Sequence, residues 1–256
     1  MKRLQDKVAL ITGAGSGIGH NIALAFAKEG AHIAINDVRE DESPERVAEE
    51  VRALGQQALV VRADVSNRAA VDAMVAQVIA EFGQIDILVN NAGVNIYQPF
   101  LEIEQKVWDL TVAVDQTGVF NCSQQVARHM VDRGQGGKII IIASVSAETA
   151  YKTQTHYCAA KAAVLKLGEG MAFELSEYGI NTNMIGPGWV ETPLTEDYLG
   201  DPELRSAVEA TIPAGRVAQV EDISRIALFL ASDDADYLSG AYIRADGGMI
   251  AGRGKV

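Results

Sequence analysis

Residues 8–19 read VALITGAGSGIG. Val8–Thr12 is a short apolar run with the look of a buried strand, and glycines at 13, 15, 17 and 19 follow it at once. Ile18–Glu29 then carries Ile22, Ala25 and Phe26 at helical spacing, and Gly30 stops it. A strand that passes through a glycine turn into a helix offers bare backbone N–H groups and the positive end of a helix. That suits a pyrophosphate. A glycine-rich turn alone is also found as a plain tight turn. Here the next strand, Ala31–Asp37, ends on an acid at the distance where a carboxylate bonds ribose hydroxyls. Asp37 would repel a 2′-phosphate, so NAD is expected over NADP. Arg39, read as a solvated surface charge, is the nearby feature that could soften this choice.

The same alternation continues to the end. Helical patterns are expected at Pro44–Leu54 (with Ser43 as its cap), Asn67–Phe82, Glu104–Arg133, Thr155–Tyr178 and Asp222–Ala231. Strands are expected at Gln57–Arg62, Asp86–Asn90, Lys138–Ser144, Ile180–Ile185 and Ala241–Arg244. Trp189–Pro213 is more irregular, with one or two short helices, and 189–213 is the expected substrate-loop segment. Continuous apolar strands alternating with helices imply a parallel sheet covered on both faces. The expectation is an α/β fold: one Rossmann-like, doubly wound domain over 1–256.

Composition narrows the partners. A net charge of −12 opposes binding to nucleic acid or an anionic membrane, whose phosphates need Lys and Arg. No stretch approaches the ~20 apolar residues of a membrane span. Two cysteines, Cys122 and Cys158, are too few for a disulfide framework and fit reduced thiols in a cytoplasm. No metal site is expected.

A second stretch, Lys138–Lys161, reads KIIIIASVSAETAYKTQTHYCAAK. Its isoleucine strand ends at Ser144. Tyr157 and Lys161 lie four apart, hence on one face of a helix. A phenol has an ordinary pKa near 10 and needs a neighbouring cation to act as a base; Lys161 is one turn away. Tyr157 would take or give a proton while Ser144 orients the substrate oxygen.

With these motifs in hand, the chain resembles the short-chain dehydrogenase/reductase family over nearly its whole length. Thr12–Gly19 matches that family's TGxxxGxG, which implies cofactor contacts at Gly13, Ser16, Gly17, Ile18 and Gly19. Asn90-Asn91-Ala92-Gly93 matches its NNAG, bringing in Asn91 and Gly93. Asp64-Val65 matches a dipeptide placed at adenine. Pro187-Gly188, with Val190 and Thr192, matches a segment placed at the nicotinamide carboxamide. The family's catalytic tetrad is Asn, Ser, Tyr and Lys. Ser144, Tyr157 and Lys161 match, the last two also facing the cofactor, and Asp115 stands where the Asn belongs. Asp115 keeps the backbone carbonyl of that position, loses the amide donor and adds a possible charge near Lys161. The expectation is a working enzyme with an altered relay.

Asn95, Glu148, His156 and Trp189, with Ser144, are the candidate substrate contacts, a mix that suits a hydroxylated molecule. Within the family the likeness is to bacterial glucose 1-dehydrogenases. It rests on Ile185–Gly188, Asp201–Glu203 through Ile212-Pro213, His156-Tyr157, Ala245–Met249 and Ala251–Gly254. An aldose or polyol is the expected substrate. A 3-oxoacyl-carrier-protein reductase or another ketone reductase is the alternative enzyme, and a non-catalytic NAD sensor the alternative of another class. The resemblance also implies a homotetramer.

Overall fold

All five residues of Val8–Thr12 are buried, because both faces of this strand are covered. The computed structural model describes residues 2–252; Arg253 and Gly254, part of the C-terminal likeness above, lie outside them. In chain order the elements are β1 Val8–Thr12, α1 Gly17–Lys28, β2 His32–Asp37, α2 Ser43–Ala53, β3 Ala58–Arg62, α3 Arg68–Phe82 and β4 Ile87–Asn90. Next come α4 Gln105–Thr111, a π-helical segment Val112–Gly118, α5 Val119–Arg133, β5 Gly137–Ile142 and α6 Thr155–Leu175. The chain closes with β6 Ile180–Pro187, α7 Glu196–Leu199, α8 Pro202–Glu209, α9 Val220–Ala231 and β7 Tyr242–Ala245.

The seven strands form one sheet in the order β3-β2-β1-β4-β5-β6-β7, and every pairing is parallel. Successive side chains point to opposite faces. Ala9 and Ile11 therefore pack with Ile22, Phe26 and the apolar side of α9. Val8 and Leu10 pack with Val71, Met74, Val126 and Met130. The four isoleucines of β5 divide likewise: Ile140 and Ile142 go to the first core, Ile139 and Ile141 to the second. This is the expected doubly wound Rossmann-like sheet.

Several boundaries differ from the expectation. Glu104–Arg133 is continuous but not uniform, since one wider turn at Val112–Gly118 interrupts the α-helical hydrogen bonding and carries Asp115. The helix from Thr155 stops at Leu175. There the Ser176 hydroxyl donates to the Ala172 carbonyl, and Gly179, with φ +70°, ends the following 3₁₀ turn. Ser43 is the first helical residue of α2 rather than its cap, which is Glu42. Asn67 caps α3 through its side chain, accepting from Ala70 N–H at 3.2 Å. The irregular segment holds two short helices, α7 and α8, as expected.

The order of strand connection reverses between β1 and β4. A doubly wound sheet opens a crevice at such a point, beyond the carboxyl ends of its strands. The loops after β1, β2, β4, β5 and β6 all lead there.

Candidate active site

The loops after β1 and β4 are tied together first. Thr12 Oγ1 accepts from the backbone N–H groups of Asn91, at 3.0 Å, and Ala92, at 3.1 Å. The Asn91 amide donates back to the carbonyls of Thr12, at 2.9 Å, and Gly13, at 3.0 Å. This closeness needs glycine. Gly13 has φ +62°, and a Cβ on it would lie 2.9 Å from Ala92 Cα. A Cβ on Gly19 would meet the Asn91 amide nitrogen at 2.5 Å. Gly19 thus packs α1 onto the turn and does not face the crevice; the wall is formed by Gly13, Ser16, Gly17 and Ile18.

Beyond these loops lies one elongated cavity of about 690 Å³. Asp37, Asp64, Val65, Asn91 and Gly93 line it, as do Ser144, Tyr157 and Lys161 and, from the end of β6 and the loop after it, Pro187, Gly188, Val190 and Thr192. Residues taken from separate motifs therefore share one space.

Asp37 is more constrained than its sequence suggested. Its carboxylate accepts from Gly15 N–H at 2.9 Å, and from Arg39 through Nε at 3.1 Å and Nη2 at 2.8 Å. Arg39 Nη2 also donates to Ser16 Oγ at 2.9 Å. Arg39 is therefore no free surface charge; it clasps Asp37 to the glycine turn. Burial opposes the Asp37 charge, but the bonds from Arg39 and Gly15 outweigh it and hold the carboxyl below its usual range.

At the other end, β5 delivers Ser144 and the first two turns of α6 deliver Tyr157 and Lys161. The Ser144 side chain faces Tyr157 and helps to pull its phenol down. Ser144 Oγ also accepts from Ser146 N–H at 3.1 Å, and Tyr242 Oη donates to the Ser144 carbonyl at 2.8 Å. Lys161 Nζ donates to the Ile142 carbonyl at 3.3 Å and lies 5.4 Å from the Tyr157 ring centre. Asp115, fully buried, places Oδ1 3.0 Å from Lys161 Nζ, and its Oδ2 accepts from Val94 N–H at 3.1 Å. Burial opposes the Lys161 charge, yet Asp115 and Tyr157 beside it raise its pKa above the ordinary value. Burial pushes the Tyr157 phenol up; Lys161 pulls it down, Asp115 pushes it further up, and the net direction is upward.

Of the expected substrate contacts, Asn95 and Trp189 line the cavity. His156 does not. Its ring is buried behind the wall, with Nε2 2.8 Å from the Ile96 carbonyl, because the residue before Tyr157 on a helix faces a different side. Glu148 likewise faces away and pairs with Arg244. Gln154, the residue before α6, belongs to none of the sequence motifs. It is buried on the cavity wall and bonds Tyr97. The Tyr97 hydroxyl accepts from the Asn95 amide at 3.3 Å, and burial pushes its phenol up to about 12. Tyr97, Tyr198 and Trp189 form an aromatic ladder, with ring centres 5.1 and 5.4 Å apart. Tyr198 lies within the expected 189–213 substrate-loop segment, although it is not itself a named candidate. Among the described residues no cluster of His, Cys, Asp or Glu could hold a metal ion, no helix is long and apolar enough to cross a membrane, and both cysteines are free.

A glycine-turn crevice at a switch point, opposite a serine, a tyrosine and a lysine, defines a nicotinamide-dependent oxidoreductase acting on a CH–OH group. Comparison with known proteins agrees. Residues 13–250 match a family model described as Enoyl-(Acyl carrier protein) reductase. L-rhamnose 1-dehydrogenase (NAD(P)(+)) of Sphingomonas sp. (strain SKA58) is 38% identical over 249 residues, covering 97% of this chain and 98% of that protein. A 3-oxoacyl-acyl-carrier-protein reductase of Staphylococcus aureus is 38% identical, covering 95% and 98%. The crystal structure of a gluconate 5-dehydrogenase from Burkholderia cenocepacia J2315, in complex with NADP and tartrate, is 40% identical with TM-score 0.92, covering 97% of each chain. The chain belongs to the short-chain dehydrogenase/reductase family.

Gly186 generates a test of how Ser144 is held. A Cβ there would lie 2.1 Å from Tyr242 Oη and 2.4 Å from Cζ. Gly186→Ala is expected to displace the ring, release the Ser144 carbonyl and cost about 1–3 kcal/mol by overpacking. Thermal melts should show a loss of at least about 2 °C; an unchanged melt would show that the ring yields freely.

Proposed function

We propose that this protein is an NAD-dependent dehydrogenase of neutral sugars, interconverting the CH–OH group of an aldose or polyol with a carbonyl. The observation that carries the reading is the lining of the cavity beyond Tyr157. Asn95, Ser146 and Gln154 offer neutral polar groups, and Tyr97 and Trp189 offer aromatic faces. Among the described residues that line this end, the cation is Lys161, already paired with Asp115. A sugar presents hydroxyls to the amides and a C–H face to the rings. A carboxylate or phosphate would find no free guanidinium or ammonium to meet it. The likeness to an L-rhamnose 1-dehydrogenase supports the same class.

The cofactor end fits a dinucleotide. Gly13, Ser16, Gly17 and Ile18 line the cavity where α1 begins, and they would hold the pyrophosphate. Gly19 supports them from behind. Asp37 takes the ribose hydroxyls, Asp64 and Val65 the adenine, Asn91 and Gly93 the middle, and Pro187, Gly188, Val190 and Thr192 the nicotinamide end. Bound nicotinamide supplies the hydride acceptor. Ser144 donates a hydrogen bond to the substrate oxygen, Tyr157 removes its proton, and Lys161 supplies positive charge to Tyr157 and the cofactor ribose. NAD is preferred because a 2′-phosphate would confront the Asp37 carboxylate. Arg39 and Ser16 leave NADP a weaker foothold.

One assay tests substrate and cofactor together. Initial rates are compared over neutral aldoses, polyols, aldonates and a 3-oxoacyl thioester, with each cofactor. We expect the highest kcat/KM for a neutral sugar, with NAD better than NADP by at least about tenfold. Arg39→Ala should reduce NADP use more than NAD use. Turnover of the thioester without sugar oxidation contradicts the substrate, equal efficiencies contradict the preference, and tight NAD binding with no turnover returns the sensor reading.

We also propose a homotetramer. The α4–α5 rod leaves Trp108 40% and Phe120 42% exposed, and α6 leaves Phe173 89% exposed. Large apolar groups on two neighbouring helices suit burial against further copies. Light scattering at micromolar concentration should give four times the chain mass; a monomer would contradict it.

A further inference from the structure

Asp115 puts a carboxylate where no proton-transfer step of the proposed reaction calls for one. It is fully buried, and its room is made by Gly93, on which a Cβ would lie 2.7 Å from Asp115 Oδ1 and 3.5 Å from Lys161 Nζ. A carboxylate buried to this degree persists only beside a compensating charge. Burial pushes the Asp115 carboxyl up, and Lys161, 3.0 Å away, is the charge that opposes that rise. Yet the same ammonium is the group that must make Tyr157 a base.

We propose that Asp115 is a charge-setting positioning residue: its carboxylate cancels the Lys161 ammonium, so that Tyr157 becomes a base only when a second positive charge, oxidised nicotinamide, lies beside it. This rests on the dehydrogenase reading above. The charges decide the sign. With Asp115 and Lys161 both ionised the pair is neutral, and ionising Tyr157 leaves one net negative charge in a buried pocket. Oxidised nicotinamide restores neutrality. With an amide at 115, Lys161 alone balances the phenolate, and no cofactor charge is needed.

The other groups facing these residues do not supply the missing charge. From α6 come His156, which approaches Asp115 and has Nε2 on the Ile96 carbonyl, and Cys158, which lies near Tyr157. From the loops come the Ser144 hydroxyl, the Tyr97 phenol and the Val94 N–H. Among the described residues Lys161 is the cation within contact of both Asp115 and Tyr157. The arrangement therefore couples proton removal to the presence of oxidised cofactor, and it protects the apoprotein from holding a reactive phenolate.

The test reads Tyr157 in the cofactor-free protein. Phenolate absorbance is followed against pH in the wild type, with Tyr157→Phe subtracted, and again in Asp115→Asn. Asn keeps the size of Asp115 and an acceptor for Val94 N–H. In the wild type, Tyr157 should show no phenolate below about pH 10. In Asp115→Asn it should appear at least about one pH unit lower, and the acid limb of the kcat/KM profile should move down with it. Phenolate near neutrality in the cofactor-free wild type overturns the proposal, as does an unchanged titration in the variant. Should Asp115→Asn not fold, the wild-type titration decides alone. The absorbance needs no substrate, so failure to oxidise any sugar leaves this test readable and strikes only the dehydrogenase reading.

Discussion

Four hydrogen bonds between Thr12, Gly13, Asn91 and Ala92 hold the ends of β1 and β4 together where the sheet reverses its order of connection. Everything at the site is placed relative to that junction. It can form only because Gly13 brings no side chain against Ala92. Once formed, it aims the glycine turn along the crevice and sets the start of α1. The same loop continues to Gly93 and Val94, which receive the Asp115 carboxylate. One junction therefore fixes both the end that suits a pyrophosphate and the end that handles a proton.

The proton-handling end is assembled from elements that share no sequence neighbourhood. The π-helical turn presents Asp115 inward, α6 presents Tyr157 and Lys161 on one face, and the loop after β5 brings in Ser144. Tyr242 from β7 steadies Ser144 through its backbone carbonyl, reaching it across Gly186. Burial alone would make Tyr157 a worse base and would discharge Lys161. Asp115 and Tyr157 keep Lys161 charged, while Lys161 pulls the Tyr157 phenol down and Asp115 pushes it back up. The site balances its charges in a buried space, and moving any one of them moves the other two.

The sheet was legible because its physics is local. Apolar runs of strand length alternating with helical spacing leave few other folds, and the tetra-isoleucine run could only be a strand covered on both faces. The two halves of the site were legible because each sits on one element: the glycine turn at a strand–helix joint, Tyr157 and Lys161 one turn apart. Contacts made across elements were not. Arg39 looked like surface charge until Asp37 and Ser16 converged on it. His156 looked like a cavity residue until the helix turned it to Ile96. Gln154 and Tyr198 gave no periodic signal, and their place depends on loops that three-dimensional packing alone defines. The π turn is the clearest case, since nothing in the spacing of 104–133 announces one wider turn.

The two-half account is tested most directly at the atom where the halves meet. In Tyr157→Phe the ring stays and the phenolic oxygen goes. Calorimetric NAD affinity should stay within about threefold of wild type while oxidation of the best neutral sugar falls by at least about 100-fold. Near-normal turnover in that variant would contradict the two-half account, and would move the proton acceptor away from Tyr157 altogether.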